Sequence, residues 1–445
     1  MSSMRAFRFM LNARSIGIRK FAGHTTIFSR RGISTTRPLL NATTSESATR
    51  RPYFVGTHSP DARTLGKAVV ENNVVKTNEH AVPNIWLRDN CQCKSCVHED
   101  TKQRLLDTFS IPEDISIKAS SETKDNIDVE WSDGHKSQYS KALLLSAGST
   151  ADKRARIRQG LVDIDLWDAP KAKTVLRLTF SESQEGTPDS LVHSILKNLR
   201  RYGFAQIDSV PVSPQATESL LSRISFIRET HYGGFYDFTA DLASKDTAYT
   251  NIALEAHTDT TYFSDPAGLQ AFHLLSHTEG SGGQSLLVDG FNAAEQLLKE
   301  DKGAYEVLAS VNVQAHASGN EGISIMPYKG FPVLGHDEAT GRLLQVRWNS
   351  SDRAAIELPL GEVGRWYEAA RKFDRILKRK ENEYWEQLQP GTVVIFDNWR
   401  VLHGRAEFTG KRRICGGYIN RDDWISKFKV LEFGQGEVLG SLASG

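Results

Sequence analysis

The segment Ala253–Phe263, ALEAHTDTTYF, reads as a strand end running into a loop, with His257 and Asp259 two residues apart. Side chains at i and i+2 of a strand share a face, so this imidazole and this carboxylate can grip one ion from a rigid edge. A second histidine is then needed on a neighbouring strand. His403 supplies it 146 residues later, in Phe396–Arg405 (FDNWRVLHGR), shortly after the apolar run Thr392–Phe396. Two histidines and one carboxylate on one face leave three coordination positions open, the arrangement that non-haem Fe(II) oxygenases use. By itself an H-x-D is a common solvated turn, and His403 alone could be a satisfied histidine near the core. The pairing gives the set its weight. A zinc hydrolase could use the same three ligands, but it would have no need of a dicarboxylate anchor.

Around this stretch the C-terminal half alternates strand-like runs with helices. Strands are expected at Leu269–Ser276, Ser285–Val288, Leu343–Trp348, Thr392–Phe396 and Arg413–Asn420. Helices are expected at Thr187–Tyr202, with Thr187 as N-cap and Pro188 in the first turn, at Phe291–Ser310, and at Leu360–Leu388 with basic Arg371–Lys380 on its wet face. Strands dominate, with helices inserted between them. A mainly β chain with helices, folded as a sheet sandwich or open barrel, fits better than a regular βαβ alternation. An oxygenase that consumes a dicarboxylate also needs a fixed guanidinium, whose planar fork matches a carboxylate and never deprotonates. Arg412 lies nine residues after His403, but Lys411 and Arg413 stand beside it, so chemistry alone leaves the choice open.

Nearer the N-terminus, Asn90–Cys96 (NCQCKSC) places Cys91, Cys93 and Cys96 within six residues, and His135 follows 39 residues later. Three thiolates and an imidazole can close a tetrahedral zinc site that staples a small domain. His98 is a rival fourth ligand, without an intervening strand to bring the chain back. Three clustered thiols cannot all pair as disulfides, and free thiols this close invite oxidation. Four protein ligands would leave no open position, so the role would be structural. Tyr53 to about Ser146 reads as short strands and turns, including the alternating strand Ile127–Trp131 and a Ser-Asp-Gly turn at 132–134. The stretch 147–160 (AGSTADKRARIRQG) reads as a linker.

The formal net charge of +1 conceals an asymmetry. Residues 1–50 carry eight arginines and Lys20 against the single acid Glu46, whereas the remaining residues hold 46 basic and 53 acidic side chains. An arginine-rich, serine-rich, acid-poor leader has the composition of a mitochondrial transit peptide, expected to be cleaved between residues ~30 and ~50. The alternative is a basic tail for nucleic acid or lipid. An acidic body argues against nucleic acid, and the basic helix reads as a solvated face. No stretch approaches the ~18 apolar residues of a membrane-spanning helix. Four cysteines are too few for a secreted disulfide framework.

Four separated segments, Asn84–Cys96, His257–Phe263, Gly282–Phe291 (GGQSLLVDGF) and Asp397–Asp423, together resemble the carnitine-biosynthesis branch of the 2-oxoglutarate oxygenases, which comprises trimethyllysine and γ-butyrobetaine dioxygenases. The likeness runs in order from about residue 50 to 430. HTDTTYF and FTGKRRICGGYINRDD (408–423) are more similar to the trimethyllysine side of the family, and mitochondrial targeting leans the same way. The resemblance implies a double-stranded β-helix (jelly-roll) core over residues 161–445, after a small zinc-stapled β domain at 51–146. Within it, Fe(II) would sit on His257, Asp259 and His403, and 2-oxoglutarate would chelate the iron and pair with Arg412. Ser285 would add a hydroxyl to the same carboxylate, and ascorbate would act as reductant.

The substrate implied is a quaternary ammonium compound, hydroxylated at carbon 3, with γ-butyrobetaine as the alternative to trimethyllysine. A trimethylated nitrogen has no N–H to donate, so aromatic faces are its natural receptor. Tyr232, Tyr236, Tyr249 and Tyr418 match the family's cage positions, with Tyr236 where a tryptophan is common in relatives. The plain reading of the four tyrosines is core or rim aromatics. Relatives suggest a homodimer. A catalytically silent zinc-binding interaction module is a rival from another class.

Overall fold

The computed structural model describes residues 52–56, 67–77, 80–146, 153–181, 188–239 and 250–442. The leader, Thr187 and Tyr249 lie outside the described residues. Arg50–Gly445 forms one compact unit.

The N-terminal part of that unit is β-rich. Ala68–Glu71, Val74–Thr77 and His80–Ala81 make one antiparallel sheet, and Ile117–Glu122, Asn126–Trp131 and Lys136–Ser140 a second. Alternation along Asn126–Trp131 buries Ile127, Val129 and Trp131 on one face, as the sequence predicts. They pack with Val75 and Tyr139 and with Leu87 of the short helix Asn84–Asp89 into a separate hydrophobic cluster. The Tyr139 hydroxyl donates to the Leu87 carbonyl at 2.6 Å, which ties helix to sheet.

The larger part is built on two facing sheets. One has the order Leu254–His257, Val401–Arg405, Ser285–Asp289, Tyr384–Glu386, all antiparallel. The other runs Leu178–Thr179, Phe204–Asp208, Val393–Asp397, Leu269–Thr278, Lys411–Ile419, Tyr236–Thr239, antiparallel except at its first pair. The strands look continuously apolar because both faces are covered, yet the period of two still sorts them. Ala205, Ile207, Val393 and Ile395 pack outward against helices Asp189–Tyr202, Pro214–Ile224 and Arg421–Phe433. Their alternates Phe204, Val394 and Phe396 join Leu287 and Val401 in a cluster of their own. On the four-stranded sheet, Leu286, Val288 and Leu402 face helices Gly290–Glu300, Lys302–Ser310 and Leu360–Leu377. His403, next to Leu402, therefore points the other way, between the sheets. This is the α+β, double-stranded β-helix architecture expected.

The turn before the His403 strand is locked by a buried ion pair. Arg400 meets both carboxylate oxygens of Asp289, at 3.0 and 2.7 Å, and donates to the carbonyls of Arg201 and Asp165. Satisfying a buried guanidinium so fully is what makes its burial tolerable.

Four expectations shift in extent. The helix expected over Phe291–Ser310 breaks in two at Asp301, whose extended backbone and side chain cap the second helix by accepting from the Ala304 N–H. The helix beginning at Leu360 stops at Leu377. Buried Asn382 then donates to the Ile376 carbonyl, and Tyr384–Glu386 leaves to pair with Ser285–Leu287. Within the expected linker, Lys153–Gln159 is helical, with Ile157 buried. The helix assigned to Thr187–Tyr202 spans Asp189–Tyr202, with Pro188 at the cap position.

Candidate metal centres and active-site cavity

Antiparallel register brings the triad together. His257 and His403 are direct partners across neighbouring strands, with ring centroids 4.3 Å apart. The strand ends at His257, so Asp259 stands in the bend beyond rather than within the strand as expected. Its Oδ1 lies 3.2 Å from His257 Nε2 and its Oδ2 4.0 Å from His403 Nε2. Between His403 and Arg405, Gly404 lets the chains approach. A Cβ there would stand 2.5 Å from the Leu254 carbonyl oxygen.

The bend is held from several sides. The Asp259 N–H donates to Asn398 Oδ1 (2.8 Å), whose amide returns bonds to the carbonyls of Asp259 and Ala267. Thr258 exchanges hydrogen bonds with the Trp348 backbone. Gln270 Nε2 and the Tyr418 hydroxyl each donate to Asp259 Oδ2 at 2.7 Å. His257 Nδ1 lies 2.7 Å from the Glu255 carbonyl, so that nitrogen carries the proton and Nε2 keeps its lone pair for a metal.

Electrostatics sorts the three groups. Burial opposes ionisation of Asp259, but His403, His257 and the Tyr418 hydroxyl outweigh it and hold the carboxyl well below its usual range. Burial, reinforced by His257, pushes His403 down to about 3, leaving the neutral imidazole that ligates metals. Burial also works against charge on His257, yet Asp259 raises it. Two neutral-capable imidazoles and a fixed anion converge on one point, a donor set that suits Fe(II).

The triad opens onto a cavity of ≈ 410 Å³. Arg412 is on its wall, buried, with its Nε lacking any hydrogen-bond partner. Among the described residues no carboxylate pairs with it. Burial and the neighbouring Arg405 lower its pKa to about 10. A buried, unpaired guanidinium beside a cavity is costly unless an anion enters, and a 2-oxoglutarate carboxylate fits that demand. Ser285 lines the same cavity and pairs in register with Arg405. Arg405, which the sequence reading passed over, donates to the carbonyls of Thr250 and Ile252 and stacks with Phe408. Lys411 and Arg413 lie on the outward face and pair with Glu279 and Asp237.

Tyr232, Tyr236 and Tyr418 also line the cavity. Tyr236 and Tyr418 meet edge to face at 5.9 Å, and the Tyr236 hydroxyl donates to the Ala271 carbonyl. With its hydroxyl on Asp259, Tyr418 belongs to the metal site as well as to the aromatic wall.

The second cluster is closed. His135 Nε2 lies 3.3, 3.5 and 3.6 Å from the sulfurs of Cys91, Cys93 and Cys96. Zinc bonds of ~2.3 Å to sulfur and ~2.0–2.1 Å to nitrogen at tetrahedral angles make that edge roughly 3.5 Å, so the four donors fit zinc. His98 is elsewhere, accepting the N–H groups of Asp100 and Thr101 in a local turn. Arg88, also missed from sequence, is buried beside the cluster. Its N–H reaches Cys96 Sγ at 3.4 Å, and it pairs with Asp133, which in turn accepts the His135 N–H. Burial pushes Cys96 up to about 12 even against that contact, whereas the Ser95 and Cys96 N–H groups hold Cys93 below its ordinary value despite burial. A divalent cation is what would let all three thiols ionise together.

A family model described as Taurine catabolism dioxygenase TauD, TfdA family matches residues 169–418, and one described as Gamma-butyrobetaine hydroxylase-like, N-terminal, matches 70–145. Trimethyllysine dioxygenase of Neurospora crassa is 47% identical over 416 residues, covering 85% of this chain and 84% of its own. The mitochondrial trimethyllysine dioxygenase of Homo sapiens is 40% identical over 352 residues, 78% of this chain and 82% of its own. Gamma-butyrobetaine dioxygenase of a Pseudomonas species is 31% identical over 358 residues, 78% and 90%. Fold and site thus define an oxidoreductase, a dioxygenase working with iron and 2-oxoglutarate. The chain belongs to the TauD, TfdA family and, within it, to the trimethyllysine dioxygenases.

Proposed function

We infer that the protein hydroxylates N6,N6,N6-trimethyl-lysine at carbon 3, the first step of carnitine biosynthesis, while 2-oxoglutarate and O2 become succinate and CO2. The observation that carries the reading is the convergence of His257, Asp259 and His403 on a cavity that also holds buried Arg412 and three tyrosines. Identity to trimethyllysine dioxygenases of 40–47%, against 31% to a γ-butyrobetaine enzyme, favours the lysine derivative.

In this reading His257, Asp259 and His403 hold iron, which when bound supplies O2 activation and C–H oxidation. The protein does the positioning. Tyr418 and Gln270 keep the Asp259 carboxylate oriented, and Asn398 fixes the bend it stands on. Arg412, with the Ser285 hydroxyl, fixes the far carboxylate of 2-oxoglutarate. Tyr232, Tyr236 and Tyr418, with Tyr249, offer ring faces to the trimethylammonium group. Cys91, Cys93, Cys96 and His135 hold a structural zinc that staples residues 51–146, and residues 147–160 connect them to the catalytic region, 161–445. Residues 1–50 direct import to the mitochondrial matrix, with cleavage between residues ~30 and ~50. Ascorbate keeps the iron reduced, and the working form is a homodimer.

Succinate release is the test. With Fe(II), ascorbate and 2-oxoglutarate present, adding trimethyllysine should stimulate succinate formation and oxygen uptake in step. A protein that binds zinc yet shows no stimulation would be the silent interaction module instead.

A further inference from the structure

The carbon to be hydroxylated neighbours the α-carbon, so the substrate's α-ammonium group is only two bonds from it. Reacting atoms must approach to about 3–3.5 Å. The ammonium would therefore come to rest within a few ångströms of the His257, Asp259 and His403 cluster that would hold the iron, and needs an acceptor on the wall there. Aromatic faces do not meet that need, because a primary ammonium has three N–H groups to satisfy.

Among the described residues, the acids of the cavity wall differ in what they face. Glu255 and Asp374 share Lys378, at 3.0 and 3.3 Å. Glu386 is gripped by Arg177, Gln206 and the Tyr384 hydroxyl. Asp259 is the metal ligand. Asp352 is distinguished by position. It lies on the cavity wall, and its charge acts on the His257 imidazole.

Its turn is bonded directly to the metal-binding bend. Trp348, at one end, exchanges hydrogen bonds with Thr258, the residue between the two metal ligands. Asn349 Oδ1 then accepts the N–H groups of Ser351 (2.9 Å) and Asp352 (3.3 Å), while its Nδ2 donates to Asp352 Oδ2 at 2.8 Å. Thr261, two residues after Asp259, reaches the same oxygen at 3.5 Å, and the His316 N–H binds the Asp352 carbonyl. The carboxylate is therefore held at a fixed offset from the iron ligands, as a group that registers a substrate must be.

We propose that Asp352 is the receptor for the substrate's α-ammonium group, and hence the residue that makes the enzyme select a quaternary amino acid over a quaternary amine that carries only a carboxylate. The inference rests on the trimethyllysine reading. It explains how one metal site and one aromatic wall can serve two substrates that differ in chain length and in the α-amine.

A pair of ligands and a pair of proteins test it. Trimethyllysine and its des-amino analogue, 6-(trimethylammonio)hexanoate, are compared in kcat/KM, and in Kd on protein loaded with Mn(II) and 2-oxoglutarate. Wild type should prefer trimethyllysine at least 10-fold. In Asp352→Asn, which keeps the size and the Asn349 contact but loses the charge, the two ligands should come within 2-fold. The loss should fall on trimethyllysine alone. A wild-type ratio retained in the variant, or a wild type indifferent to the amine, overturns the proposal. If Asp352→Asn does not fold, Asp352→Ser carries the same expectation and the same refutation. A wild type that hydroxylates no quaternary amine instead overturns the functional reading on which the inference rests.

Discussion

The two clusters of metal-ligating side chains found among the described residues contrast in how they are assembled. The Cys91–Cys93–Cys96–His135 site draws on 45 consecutive residues, and its region has a hydrophobic cluster of its own. Four ligands surround one point and no position stays open. The His257–Asp259–His403 site joins strands 146 residues apart through one antiparallel register and opens into a cavity. A closed set of soft donors beside that hydrophobic cluster suits a structural zinc. An open set of nitrogen and oxygen donors on a large, doubly covered scaffold leaves room for chemistry. Completeness of the ligand set, rather than the mere presence of a metal, separates support from catalysis.

Breaking each site should therefore have opposite consequences. His257→Ala should bring trimethyllysine-stimulated succinate formation to background, with the melting temperature and the zinc content kept. Retained stimulation would remove the triad from the mechanism. Cys96→Ser should do the reverse. Zinc is lost, and amides of residues 67–146 become exchangeable, as expected when a metal worth ~10–16 kcal/mol of binding is removed from a region that depends on it. Hydrogen exchange resolved by peptide would show this, and protection unchanged in that region would show the zinc to be dispensable.

A smaller effect sharpens the contrast within the catalytic region. Arg412 is buried with no carboxylate partner among the described residues, so Arg412→Met should raise KM for 2-oxoglutarate by about 10–100-fold, the size of one or two charge-assisted hydrogen bonds. It should also raise the melting temperature when 2-oxoglutarate is absent, because an unpaired buried charge is gone. A variant with unaltered KM would place the dicarboxylate elsewhere, with Arg405 the next residue to examine.

Sequence spacing pointed to both clusters, whose side chains the fold brings together, because each is anchored by a local pattern, C-x-C-x-x-C in one case and H-x-D before a loop in the other. It also located the main strands, since Leu269–Thr278, Ser285–Asp289 and Val393–Asp397 are apolar runs bounded by turn residues. What it could not reveal depends on partners distant in the chain. Gln270 is one polar residue in an apolar strand until pairing sets it against Asp259. Asn398 and Arg88 are likewise ordinary polar residues until the fold places the Asp259 bend and the cysteine cluster beside them, and Arg405 until it stands next to Arg412. Helix lengths failed for a related reason. Helical periodicity continues through Asp301 and past Leu377, and only the cap formed by Asp301 and the edge pairing of Tyr384–Glu386 end the helices. A buried polar side chain in an otherwise apolar strand is the signal that points to Gln270.

This cavity should oxidise the quaternary amino acid at carbon 3. Equimolar trimethyllysine and γ-butyrobetaine offered together, with the products resolved by mass spectrometry, test it most directly. The expected product is 3-hydroxy-trimethyllysine, formed one for one with succinate and well ahead of any carnitine. Carnitine as the main product, or succinate without either hydroxylated amine, would contradict it.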